Sequence, residues 1–362
     1  ISQNLLGVQG LVRGGFGNSQ LQWEKVRKLN FGLDASVLNE RISFSFDVFQ
    51  HRTSNMIAYE ALPVATGFPY AITNDGGMTT KGFEFSLNGR VLNKTDWKVD
   101  LGITLGKYRS TIDQLPSDNV LTNFSGATYI TSTGKGPNLF YGHKANGVFI
   151  TDAEATQAGL SVRTANGTLV PFTGGDIRFA DLNGDHIIDE NDRQVIGDPN
   201  PDLFGSGSGR VTWKKFSLDA LFTFVQGNDV YNYTRQQLES MSDYANQIDA
   251  IRNRWRTNGH QTAIPKATWG DPMGNSRFSD RWIEDGSYLR LRTISLSYHH
   301  PFKDGFMKYL DVYVTGNNVF TLTKYKGYDP EFSATESIFG QGVDNTLEPL
   351  TKSLLLGLRI GL

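Results

Sequence analysis

The chain has 362 residues, 35 Lys and Arg against 37 Asp and Glu, a formal net charge of −2 and no cysteine. This overall balance leaves no electrostatic footprint for nucleic acid or acidic lipid, and the missing thiols exclude disulfides, thiolate metal sites and a cysteine nucleophile. No run of about 18 apolar residues exists for a transmembrane helix, and ISQNLLGVQG lacks the basic and apolar regions of a signal peptide.

In chain order the first predicted strand covers 21–38 and ends on Leu29, Phe31, Leu33, Ala35 and Val37. The next begins at Arg41, with Ile42, Phe44, Phe46 and Val48 on one face and Ser43, Ser45 and Asp47 on the other. Residues 82–91 oppose Phe83, Phe85, Leu87 and Val91 to Glu84, Ser86, Asn88 and Arg90. Residues 97–106 oppose Trp97, Val99, Leu101, Ile103 and Leu105 to Lys98, Asp100 and Thr104. A period of two over about ten residues marks a strand with one apolar and one polar face. Further strands are predicted at 204–213, 216–226, 285–302, 308–323 and 351–362. In 285–302 the apolar parity changes between Leu291 and Ile294, which calls for a bulge near Arg292–Thr293. The last strand aligns Leu354, Leu356, Leu358, Ile360 and Leu362.

About nine strands result, many long enough to cross a bilayer, which takes roughly 9–11 tilted residues. Their connections alternate in length. Tight turns at Asn39–Glu40, Asn93–Thr95, Lys214–Lys215 and Lys303–Met307 alternate with a loop of about twenty residues, then 111–203, 227–284 and 324–350. Tight periplasmic turns and long extracellular loops are the pattern of outer-membrane barrels. The fold expected is all-β, an antiparallel transmembrane β-barrel segment with Phe44, Phe46, Phe83, Phe85, Leu101, Ile103, Leu356 and Leu358 toward lipid. Ser45, Asp47, Glu84, Asn88 and Asp100 then face the lumen. An odd strand count reads residues 1–20 as an extracellular loop remnant and 21–362 as the C-terminal part of the barrel, because intact bacterial barrels have an even count. The competing reading is a soluble β-rich carbohydrate-binding protein.

Several motifs carry a family resemblance. Asn18-Ser19-Gln20-Leu21-Gln22-Trp23-Glu24, Phe46 to Thr53, Asn74-Asp75-Gly76-Gly77-Met78 through Gly82-Phe83-Glu84, and Ile196-Gly197 through Asn200-Pro201 occur in order. They are followed by Asp285-Gly286-Ser287-Tyr288-Leu289-Arg290-Leu291-Arg292, by Gly316-Asn317-Asn318-Val319-Phe320 and by Tyr328-Asp329-Pro330-Glu331. Together they resemble the SusC/RagA class of TonB-linked outer-membrane receptors; Thr80 departs from the family's Asn, and Leu362 from the common terminal aromatic residue. The resemblance implies a 22-stranded barrel around a plug, import of an oligosaccharide or oligopeptide, energy from the TonB complex, and a SusD-like surface lipoprotein over the mouth. The plug and the TonB-binding segment lie upstream in such receptors. A barrel subunit of an assembly or secretion machine is the alternative within the membrane class. No enzymatic role is expected.

One segment has the spacing of a cation loop. Asp181, Asn183, Asp185, Asp189 and Asp192 stand at positions 1, 3, 5, 9 and 12, with the Ile187 carbonyl at 7, the oxygen pattern by which EF-hand-type loops wrap Ca²⁺. His186 occupies the position usually held by Gly, and Asp192 that of Glu. Tyr231, Tyr233, Trp269 and Trp282 are candidates to stack on substrate, against packing and the aromatic girdle as the plainer role. His299–His300 close a strand beside a periplasmic turn and read as interfacial. Glu284–Asp285 do not suggest a glycosidase pair, since adjacent strand residues point to opposite faces.

Overall fold

The computed structural model describes residues 2–5, 8–11, 17–68, 70–303, 305–334 and 340–362, the first two stretches by backbone alone. Nine strands form one sheet: β1 (Lys25–Val37), β2 (Ile42–Ala61), β3 (Tyr70–Asn93), β4 (Trp97–Gln114), β5 (Leu203–Trp213), β6 (Phe216–Gln226), β7 (Tyr288–Pro301), β8 (Tyr309–Thr323) and β9 (Ser353–Gly361). Each pairs antiparallel with its sequence neighbours, an up-and-down meander. A short hairpin pairs Ser2–Leu5 with Val8–Leu11.

All nine predicted strands exist, and the expected parities hold. Phe46 pairs with Phe85 and Leu105 follows beside them, while Asp47 pairs with Glu84 on the opposite face. Leu101, Leu356 and Leu358 stand exposed on the apolar face. The parity change in β7 is a bulge between Leu291 and Thr293, seen against both flanking strands. Close cross-strand packing explains part of the glycine content: a Cβ at Gly357 would run into the Tyr313 ring, and one at Gly106 into Phe204.

Several boundaries differ from expectation. β1 starts at Lys25 rather than at 21. The twenty-residue loop after the second strand is mostly strand, because β2 and β3 run on to Ala61 and from Tyr70, leaving 62–69 as the connection. With 20 and 24 residues these strands are about twice as long as a bilayer crossing needs. Two irregularities between Thr53 and Ala58, with Asn55 at φ 55°, break the alternation that sequence patterning relies on. The motif at 18–24 lies along these long ends. Asn74 Oδ1 accepts the Gln22 N–H and Asn74 Nδ2 donates to the Gln22 carbonyl, so one side chain imitates a strand partner.

The described residues of the remaining long connections, 115–202, 227–287 and 324–352, are not loose. They fold into small sheets and two short helices, α1 (Asp152–Ala158) and α2 (Tyr233–Glu239). α1 is N-capped by the Thr151 hydroxyl and ends on Gly159 at φ 67°, the left-handed stop that suits glycine.

Candidate functional site

The inner face of the wall carries charge in register. Arg90, Asp100, Arg210 and Asp219 stand side by side across β3, β4, β5 and β6. Arg90 Nε bonds Asp100 Oδ1 at 2.7 Å, and Arg210 pairs with Asp219. Below, His299 Nδ1 lies 2.5 Å from Asp311 Oδ1, and above, Thr104 and Ser206 share a hydrogen bond of 2.7 Å. A cleft of about 820 Å³ lies along Asn88, Arg90, Asp100, Ser208, Arg210 and Asp219. The outer face carries Trp97, Trp213, Phe216, Tyr298 and His300 in ring-to-ring sequence beside the short turns, an aromatic girdle.

The loop layer rests on two apolar cores. One gathers Phe149, Phe172, Ile177, Phe179 and Ile188 around α1. The other gathers Tyr129, Phe140, Tyr231, Trp282 and Val343, drawing on all three long connections. Tyr231 and Trp282, read as stacking candidates, are fully buried here, and Tyr233 packs against them. Tyr231 donates to Gln236 Oε1 at 2.5 Å, and Trp282 Nε1 to the Arg277 carbonyl at 3.1 Å. Burial removes Tyr231 and Trp282 from any ligand-facing surface, since the loops fold on themselves as a domain does. Trp269 is different: it is 63% exposed and packs at 4.4 Å against Tyr244, 93% exposed. Sequence reading missed Tyr244; the two are joined across 25 residues by a Gly270 N–H donated to the Ser242 carbonyl.

Buried charges bind the layer to the wall. Arg290 of β7, 1% exposed, reaches Asp329 at 2.5 Å through Nη2. Its Nη1 lies 2.8 Å from Glu331 Oε2 but off the hydrogen-bonding direction, and its Nε has no partner among the described residues. Arg292 Nη2 and the Tyr288 hydroxyl both donate to Glu331 Oε1. The bulge lets Arg290 and Arg292 serve one acidic pair. The D-G-S-Y-L-R-L-R and Y-D-P-E motifs are thus two halves of one clamp. Beside it, Arg235 of α2 joins Glu239 and Glu284, and the Tyr325 hydroxyl donates to Asp344. Burial raises the Asp344 carboxyl above its usual range despite that bond. Burial likewise lowers Arg277 and Arg281 to about 10; both donate to backbone carbonyls rather than pairing with a carboxylate.

At 181–192 the backbone bends as the spacing requires, with Gly184 at φ 78° and His186 at φ 61°. Asp181 accepts the Gly184 and His186 N–H groups, Asn183 that of Asp185, Asp185 that of Ile187, and Asp189 that of Asn191. Asp192 is fully buried and accepts from Leu182 and Asp189. Among the described residues no three His, Asp or Glu side chains converge as a cation site. His143 Nε2 lies 2.8 Å from the Asp189 carbonyl, and burial together with nearby Arg277 lowers its pKa.

A two-faced antiparallel wall with an aromatic girdle, short turns at one end and folded loops at the other is part of an outer-membrane β-barrel. Residues 6–319 match the family model described as TonB dependent receptor-like, beta-barrel, and the chain belongs to that family, a family of receptors and transporters rather than enzymes. It is an outer-membrane protein. It is 30% identical to TonB-dependent receptor P3 of Formosa agariphila over 90% of the chain, and 26% identical to TonB-dependent receptor SusC of Bacteroides thetaiotaomicron over 95%. It covers 32% of each, so it spans about a third of the length of these curated relatives. The solved RagAB peptide transporter superposes over 99% of the chain and 38% of its own, with TM-score 0.79 and 26% identity. The soluble reading is overturned by this membership.

Proposed function

We propose that the receptor containing this chain imports an oligosaccharide or oligopeptide through the outer membrane, coupled to the TonB complex and covered by a SusD-like surface lipoprotein. The observation that carries this is the juxtaposition of a polar, charge-registered inner wall with a folded loop layer that leaves Tyr244 and Trp269 outside its cores. A ligand or a lid would meet those two rings first, and aromatic faces suit both sugars and peptide side chains. The likeness to a peptide transporter supports the peptide branch. Deletion of the gene should abolish growth on the substrate, and the intact gene should restore it. Trp269→Ala should weaken uptake about tenfold at limiting substrate with normal surface expression. Co-purification with a multi-subunit assembly machine, and no uptake defect on deletion, would favour the alternative role.

Residues 181–192 complete the proposal with one Ca²⁺. Support comes from the oxygen donors at positions 1, 3, 5, 7, 9 and 12, a hard set that suits calcium. To ligate, Asp181 and Asp185 would turn part of their acceptor capacity from backbone N–H groups to the ion. Calorimetry on the intact receptor should register calcium, and chelation should speed proteolysis around 176–200 while the barrel persists. Asp185→Ala and Asp192→Ala should act like chelation and Glu190→Ala should not. No heat of binding, and chelator-insensitive proteolysis, would leave only an acidic turn.

A further inference from the structure

The short-turn end of the wall carries a feature that neither import nor the loop layer uses. The β5–β6 turn consists of Lys214 and Lys215 alone. Lys214 Nζ sits 5.8 Å from the centre of the Trp213 ring, and Lys215 Nζ lies 3.2 Å from His300 Nδ1 on β7. Trp213 and His300 both belong to the outward-facing aromatic row, so both lysines are drawn to the lipid side of the turn rather than to the lumen. Neither forms an ion pair among the described residues, whereas the lumenal arginines 90 and 210 are each paired with a carboxylate.

The girdle fixes the depth of these charges. Trp and Tyr rings settle at headgroup level, and lysines extend their stems along apolar surface to hold the ammonium there. The next turn adds two rings at the same level: Phe302 packs edge-on against His300 at 4.7 Å, and Phe306 is 80% exposed. Two ammonium groups without a carboxylate partner, above stacked rings and flanked by Phe302 and Phe306, complement a phosphate attached to acyl chains. A free phosphate would match the charge but leave the rings and Phe306 in water.

We infer that the Lys214–Lys215 turn, with Trp213 and His300, is a binding site for an anionic phospholipid of the periplasmic leaflet. The ammonium groups contact the phosphodiester, and Trp213, Phe216 and Tyr298 line the upper acyl chains. Basic residues near an anionic leaflet each favour it by about 1 kcal/mol, about fivefold per lysine.

The test uses the full-length receptor in nanodiscs that mix phosphatidylglycerol with phosphatidylethanolamine, reading retained lipids by native mass spectrometry. Heat-modified gel migration confirms that each variant is folded. The wild type should retain phosphatidylglycerol about 25-fold over phosphatidylethanolamine, the product of the two lysines' preferences. The double variant Lys214→Gln/Lys215→Gln should lose that preference, and Lys214→Arg/Lys215→Arg should keep it. Added inorganic phosphate should not displace the lipid. An absent preference in the wild type, an unchanged preference in the glutamine variant, or displacement by phosphate would each overturn the assignment.

Discussion

The wall and the loop layer solve opposite solvent problems with the same side chains. In the wall, Phe31, Leu101, Leu356 and Leu358 stand outward and exposed, because lipid supplies their apolar surroundings. In the loop layer, Phe149, Phe172, Phe179 and Trp282 turn inward and exclude water. Among the described residues, Ala58, Ile112 and Leu291 are the only buried hydrophobic residues that belong to the wall strands. Charge follows the same inversion. Wall charges pair in the open across neighbouring strands, whereas Arg290, Asp329 and Asp344 in and beneath the loop layer are almost wholly buried. The lesson is that an exposed apolar side chain marks the lipid-facing side of the wall, whereas in the loop layer the apolar side chains mark the dry interior.

The largest expected effects break the loop layer and spare the wall. Arg290→Met should destabilise by about 3–5 kcal/mol, because it leaves Asp329 buried without its cation, while Glu331 keeps Arg292. Proteolysis within 324–334 should accelerate while the folded barrel band survives on gels. Trp282→Ala empties the centre of the second core, at a cost of about 3–5 kcal/mol for a buried tryptophan; chemical unfolding of the loop layer should shift before that of the barrel. If either variant unfolds both regions together, the two are one cooperative unit.

The next effect runs the other way. Leu101→Arg places a charge on the lipid face and should cost about 2–4 kcal/mol if the residue lies near the midplane. Reconstitution yield should fall with loop proteolysis unchanged; a variant that folds normally in bilayers would remove Leu101 from the lipid face. Smallest is Arg210→Ala. Its partner Asp219 is partly exposed on the open inner face, so the loss should be below about 1 kcal/mol and should shrink further in high salt. A measured cost of several kcal/mol would mean that the inner face is shielded from water in the intact receptor.

The sequence by itself determined the wall. Alternation at 42–48, 83–91 and 97–105 placed each strand on its correct face, since one face meets lipid and the other water and the period of two is forced by the backbone. It also located the bulge at Arg292, because a parity change has no other local cause within a strand. The tight turns identified four of the neighbouring pairs, because an antiparallel pair needs only a short link. Only tertiary structure decided what the long connections do. Nothing local distinguishes Trp282, which is core, from Trp269, which is exposed beside Tyr244, for the burial of Trp282 depends on partners as distant in sequence as Ala127 and Tyr129. The same holds for the upper halves of β2 and β3, whose pairing continues past the region where lipid imposes a pattern. It holds for the two arginine and acid motifs as well. Each was visible as a string of residues, but that they close on one another as a buried clamp follows from the fold that brings Arg290 to Asp329.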